Sequence, residues 1–491
     1  MNQIYNKIFN MSIKHLIFII SIIISYIFCY AGEGKLVWTF ELINHGARSP
    51  HKGLDNEFKD FSGHSWIGQN ELTGVGLRQA YLIGYRDRLR YIEEKKLLSE
   101  EYDPREILVY ASENNRTLMS ANALLHGLYP PGTGPTIDPS LVDRAVPPVN
   151  SSLYEEEKER LDQCNHTALP DRMNLIPVHI NFAHDFFTQY ESSKKCKGLE
   201  YYELNKQHSQ EMIHFLNGNE KKELGNFFTA DEDGKYFRDY ELAYKFFDTL
   251  YCLYTDAAEE FDKVVNILGG SAEEFVKNCT TFLNMNNIGY LYEDLNDDEK
   301  NFNDNLVSPL FQRILDYMES VVEKYKKGEK DYKGYDIPKY YLISGVANTC
   351  GSFMTFMKSY FNTRTNFIDF ATNIHLELYL EKESGDINEN DFRVEYYFND
   401  DFLLSRPYVE FRDIVRTHLK NKTEILDFCT KEKDEVENWY IIYAFIVLGI
   451  ILVLLVIIVI VIKKRKYMNK EETVTDGENQ ALVRDTKIST E

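Results

Sequence analysis

From Lys35 to Ile43 (KLVWTFELI) the chain is mostly apolar and β-rich, and it stops at a loop holding Gly46 and Pro50, as a buried strand does. Glu106–Ser112 (EILVYAS) and Tyr340–Ser344 (YYLIS) repeat that pattern. Helical spacing follows each strand. Leu77, Tyr81, Tyr85 and Leu89 recur every four residues, which predicts a helix packing that stripe on a sheet. Leu118, Ala121, Leu125 and Leu128 predict a second helix, ended by Pro130 and Pro131. The apolar stretch Phe353–Met357 follows the third strand. Recurrent strand, loop and helix predict an α/β fold, a mostly parallel central sheet covered by helices.

Residues 151–329 change character, with long charged and aromatic stretches such as DYELAYKFFDTLYCLY and LFQRILDYMESVVEKY. Their periodicity is helical, which predicts a mainly helical cap inserted between the two parts of the α/β core, residues 32–150 and 330–430. Further on, HLELYLEK and DFRVEYYF flank the polar SGDINEN segment, which predicts a β-hairpin completing the sheet.

Two apolar runs near the ends set the expected topology. Lys7, Lys14 and His15 precede an uncharged run from Leu16 to Phe28, with small residues at Ala31 and Gly32, the pattern of a signal peptide ending near residue 31. Tyr440–Ile462 offers 23 residues without a charge, opens beside Trp439 and is closed by Lys463, Lys464, Arg465 and Lys466. That length fits one transmembrane helix, and basic residues stay on the cytosolic side. The expectation is a single-pass type I membrane protein with a cytosolic tail, residues 463–491. The rest would face the lumen or the exterior, at the plasma membrane or in a lysosome-like compartment.

The net charge of −22 is carried by the region between these runs, since the tail contributes +1 and the first 31 residues +2. Nucleic acid is thereby disfavoured as a partner, and any anion site must be a local basic pocket. Cys29 falls in the signal peptide. The other six cysteines allow up to three disulfides in an oxidising compartment, and no ligand-spaced His/Cys set suggests a metal. Sequons at Asn115, Asn150, Asn165, Asn278 and Asn421 all lie on the expected lumenal side, which suggests glycans, least of all at Asn115 beside the pocket described next.

In an open α/β sheet, ligands bind beyond the carboxyl ends of the strands, so the three strand-exit loops should converge. They read Asn44-His45-Gly46-Ala47-Arg48-Ser49-Pro50, Glu113-Asn114-Asn115-Arg116-Thr117 and Ser344-Gly345-Val346-Ala347-Asn348-Thr349. A histidine and two arginines gathered at one point repel one another unless an anion holds them. Arginine forks match phosphate oxygens, and neutral imidazole can attack phosphorus to form a phosphohistidine. A phosphomonoester or phosphorylated ligand is the expected partner, with no cofactor.

These loops resemble the histidine acid phosphatase family, within branch 2 of the histidine phosphatase superfamily, whose first motif reads Arg-His-Gly-x-Arg-x-Pro. Here it is NHGARSP. The resemblance includes ELTGVGLRQAYLIG, ASENNRTLMSANALLHGLYPP, LIPVHI and HLELYLEKESGDINENDFRVEYYFND, and extends from about Leu36 to Cys429. It implies His45 as the phosphorylated nucleophile, with Arg48 and Arg116 holding the phosphoryl oxygens. Two departures stand beside the match. Asn44 replaces the family's arginine, so that a neutral amide is expected among the phosphate-binding residues, and the third loop has Val346 and Ala347, or Ala347 and Asn348, where the family has a His-Asp pair. That aspartate protonates the leaving oxygen, a role worth roughly 10² to 10⁴ in rate. The His184-Asp185 pair lies far upstream of the third strand and is set aside; Asp60 and Glu113 are acids that could substitute. The expectation is phosphomonoester hydrolysis through His45 if the site is active, or else a catalytically impaired pseudophosphatase serving as a receptor or interaction protein.

Overall fold

The computed structural model describes residues 34–51, 64–164, 166–180, 196–198, 212, 215, 240–286, 297–330, 332–364, 367–382, 384–430 and 448–463. Seven strands form one sheet: β1 (Lys35–Asn44), β2 (Ile107–Ala111), β3 (His179–Ile180), β4 (Tyr340–Gly345), β5 (Asn373–Leu380), β6 (Phe392–Phe398) and β7 (Asp401–Pro407). Their order is β3-β2-β4-β1-β5-β6-β7. The first four strands pair in parallel, whereas β1–β5, β5–β6 and β6–β7 are antiparallel. The sheet is therefore mixed rather than mostly parallel. The expected hairpin forms as β5–β6, and its short connection forces antiparallel pairing.

Helices α1 (Gly74–Asp87) and α2 (Asn115–Leu128) follow β1 and β2. Five more described α-helices precede β4: a short one at Glu155–Gln163, then α3 (Tyr240–Asp256), α4 (Ala258–Leu268), α5 (Ala272–Asn286) and α6 (Asp297–Lys326). After β4 come α7 (Ala347–Phe361), α8 (Tyr408–His418) and α9 (Lys422–Thr430). Trp38, Phe40 and Leu42 of β1 pack into one core with Phe311 and Ile314 of α6 and Phe353 and Phe356 of α7. Leu36 and Ile43 join a different core with Leu124 and Leu128 of α2. A third core lies among α3, α4 and α5, built on Phe246, Phe247, Val264 and Phe282. Thus α6, although it falls in the inserted stretch, belongs to the core of the sheet.

The stripe expected to pack α1 on the sheet does not do so. Leu77, Tyr85 and Leu89 are 38%, 44% and 43% exposed, and the buried face of α1 is Gly76, Ala80, Gly84 and Asp87. The cause is backbone contact with α2. A Cβ on Gly84 would lie 1.8 Å from the Leu124 carbonyl oxygen, and one on Gly127 would lie 2.1 Å from that of Tyr81. Two helices this close leave room only for small residues between them, so the larger side chains turn outward.

Cys196 and Cys429 form a disulfide, and Cys164, Cys252, Cys279 and Cys350 are thiols. Asn115 is exposed, so burial does not bar it from modification. Residues 448–463 form a helix whose side chains are all exposed, and no described helix is long and apolar enough to cross a membrane. Residues 440–447 of the expected span, the expected signal peptide, the cytosolic tail beyond 463, Asp60 and His184-Asp185 lie outside the described residues.

Candidate active site

Parallel pairing brings the three loops together. Asn44 stands opposite Gly345 and Ala111 opposite Ser344, so β1, β2 and β4 end level with one another. The His45 amide donates to the Gly345 carbonyl at 3.2 Å, and the Ser112 amide to Ser344 at 3.1 Å. Helices α2 and α7 both start at this edge, so the positive ends of two helix dipoles lie beside His45. Gly46 permits the loop to approach α1, because a Cβ there would lie 2.3 Å from the Gly76 carbonyl oxygen. The Gly46 amide donates to Ser120 Oγ at 3.1 Å, and that hydroxyl donates to the Arg116 carbonyl at 2.7 Å. The first loop is thereby tied to the start of α2.

His45 is 5% exposed. Its Nδ1 lies 2.9 Å from the Gly46 carbonyl, an acceptor only, so Nδ1 carries the hydrogen and Nε2 keeps a lone pair. Burial, then the charges of Arg116 and Arg48, hold its pKa well below the usual histidine range. The imidazole is therefore neutral, the form that can attack phosphorus. The ring of Phe370 lies 5.9 Å from that of His45, and the Arg48 guanidinium carbon is 5.7 Å from Phe370.

Arg48 is anchored from α3. Its Nη2 donates to Asp248 Oδ1 at 2.8 Å and its Nη1 to Oδ2 at 3.1 Å, while Asp248, 2% exposed, also accepts the His51 amide at 2.7 Å. Nη1 lies 3.7 Å from the Cys252 sulfur, and burial pushes that thiol well above the usual range. Nη1 also donates to the Ser49 carbonyl at 3.0 Å, whereas Nε of Arg48 makes no hydrogen bond to protein among the described residues. The charge of Arg116, in the first turn of α2, also acts on His45. Tyr244, one turn before Asp248, interacts electrostatically with Asp248, Arg48 and Arg116.

Asn44 is turned elsewhere: its Nδ2 donates to the Asp369 carbonyl at 2.7 Å. Asp369 itself accepts the Tyr251 hydroxyl at 2.5 Å and the Phe370 amide at 2.6 Å. Val346 is the extended N-cap of α7, and Ala347 and Asn348 are its first residues, so the third loop lies beside His45 but presents no carboxylic acid. Glu113 is exposed in the loop before α2. Sequence reading passed over Asp248, Tyr244, Phe370 and Ser120. Asp248 is the one acid in the run YKFFDTLYC, and a buried charge amid aromatics was the signal available.

Glu41, Asp87 and His375 could offer three metal-ligand atoms within 4.8 Å of one another. Arg86 already fills that role. Its Nη1 and Nη2 lie 3.1 and 3.0 Å from His375 Nε2, and Nη1 lies 3.2 Å from Asp87 Oδ1. The imidazole lone pair a cation needs is therefore already used.

The family model of the histidine phosphatase superfamily (branch 2) matches residues 31–399. A lysosomal acid phosphatase of Xenopus laevis is 38% identical over 104 residues, covering 21% of this chain and 23% of that protein. Human prostatic acid phosphatase is 32% identical over 117 residues, 24% of this chain and 29% of that protein. The matched segments thus span under a third of these relatives. A Hafnia alvei phytase structure aligns over 80% of this chain and 99% of its own at 12% identity, with a TM-score of 0.47. On the strength of the family match, the chain belongs to branch 2 of the histidine phosphatase superfamily.

Proposed function

We propose that this chain is a membrane-anchored histidine acid phosphatase-like protein that binds a phosphomonoester between Arg48 and Arg116 and attacks its phosphorus with His45, without a carboxylic acid to assist the leaving group. The His45 Nε2 lone pair forms the N–P bond as the P–O bond to the leaving oxygen breaks. Water then attacks phosphorus, releasing phosphate and restoring the imidazole. The observation that carries this reading is the neutral, Nδ1-protonated imidazole flanked by two arginines, with Val346 and Ala347 where a proton donor would stand.

Without that donor the leaving oxygen departs as an anion, so the rate follows the acidity of the leaving group. Loss of a positioned acid costs roughly 10² to 10⁴ in rate, or about 3–5 kcal/mol of barrier. Activated aryl phosphates tolerate that loss, whereas alkyl phosphates do not. The expected result near pH 5 is turnover of an aryl phosphate that His45→Ala abolishes, with alkyl phosphates slower by about that factor. Equal rates for both classes would overturn the absence of acid assistance.

A second reading, a receptor that binds phosphorylated ligands without turnover, is favoured by two contacts. Asp248 occupies the Nη1–Nη2 fork of Arg48, and the Asn44 amide is spent on the Asp369 carbonyl. Phosphate binding without turnover of any aryl phosphate selects it. Anchoring is supported by the apolar helix at residues 448–463, whose large side chains are exposed, followed by Lys464, Arg465 and Lys466. A lumenal or extracellular location agrees with the Cys196–Cys429 disulfide and with the lysosomal name of one relative.

A further inference from the structure

Asn44 stands where the family has an arginine, which leaves the pocket one donor short, and α3 carries a further hydroxyl on Tyr244. Tyr244, Asp248 and Cys252 follow at intervals of four, so they lie on one face of the helix. Asp248 and Cys252 both reach Arg48, which places the turn bearing Tyr244 along the same wall of the pocket. The Tyr244 ring meets that of His51 edge-on at 6.3 Å and that of Phe282 at 6.4 Å, which fixes the side chain between the first loop and α5. Among the described residues its hydroxyl makes no hydrogen bond to protein. It feels the charges of both Arg48 and Arg116, the two groups that also surround His45.

We propose that Tyr244 is a phosphate-binding residue of this site, donating its hydroxyl to an oxygen of a phosphomonoester or of inorganic phosphate held by Arg48 and Arg116. The inference rests on the functional reading of the same pocket. Tyr244 supplies a hydrogen bond rather than a proton: burial and the Asp248 carboxylate push its hydroxyl well above the usual tyrosine range, against the pull of the arginines. A phenol held protonated is a poor general acid and a good neutral donor. Asp248, with both oxygens in the Arg48 fork, keeps that guanidinium in place and leaves its Nε hydrogen to be donated.

The test uses the full-length chain in detergent micelles and inorganic phosphate as the probe, with calorimetric titration and melting temperature as readouts. A hydrogen bond to a charged oxygen makes Tyr244→Phe weaken phosphate binding roughly 10- to 100-fold with the melting temperature of the phosphate-free protein unchanged. Tyr85→Phe, on the outer face of α1, leaves binding as it was. A cycle with Arg116→Ala guards against a general defect: two groups on one phosphate give losses that do not add. Wild-type binding that Arg116→Ala abolishes and Tyr244→Phe leaves unchanged overturns the role of Tyr244 alone. Strictly additive losses do the same. A wild-type chain that binds no phosphate overturns both this role and the pocket.

Discussion

Glu41, four residues before His45 on β1, shows how single buried groups tune this molecule. The Tyr340 hydroxyl donates to its Oε2, while Oε1 and Asp87 Oδ1 accept no hydrogen bond. A proton retained on the Glu41 carboxyl would supply the missing donor. Burial, then the charge of Asp87, pushes the Glu41 carboxyl well above the usual carboxylate range, and burial also raises Asp87. A group whose folded pKa is raised stabilises the fold fully below its unfolded pKa, about 4.3, and loses that contribution as pH climbs through the folded value. Arg86, Tyr340 and His375 face the same cluster, and His375 is held neutral by burial and by Arg86. Glu41→Gln keeps the shape and removes the titration. Melting temperatures measured from pH 4 to 8 should therefore fall less with rising pH in this variant than in the wild type. An identical slope would mean that Glu41 does not carry the proton.

At the scale of elements, the contact between α1 and α2 sets where the first two loops meet. The Gly84 and Gly127 positions admit no side chain without displacing backbone, so Gly84→Ala should lower stability by about 1–3 kcal/mol, read by denaturant unfolding. A neutral result would show that the helices can part. The same contact explains what sequence patterning could and could not reach. Strands β1, β2 and β4, and the hairpin of β5 and β6, are written in runs of apolar and β-branched residues, and they emerge where the pattern puts them. The orientation of α1 is not, because spacing of large residues reports a stripe without saying which partner it meets. Here glycines at positions 76 and 84 decide the buried face. The mixed sheet has a similar origin, since alternation foretells a hairpin but not that β5 pairs antiparallel to β1.

Over the whole molecule, the pocket assembles from segments far apart in the chain. Loops at residues 44–50, 113–117 and 344–349 were legible because each follows a strand, and parallel register must bring their ends to one edge. Asp248 and Tyr244 were not, because they arrive from α3, whose aromatic periodicity reads as core packing and whose distance from His45 is fixed only by tertiary structure. The proposed chemistry depends on His45 being a neutral nucleophile facing a phosphoryl group gripped by Arg48 and Arg116. The most direct test mixes the full-length chain with an aryl phosphate at mildly acidic pH, quenches in alkali, and locates any phosphoryl adduct by peptide mass spectrometry. One phosphate is expected on His45, absent from His45→Ala and strongly reduced in Arg116→Ala. A phosphoryl group carried by any other residue, or an adduct at His45 that forms equally well without Arg48 and Arg116, would contradict it.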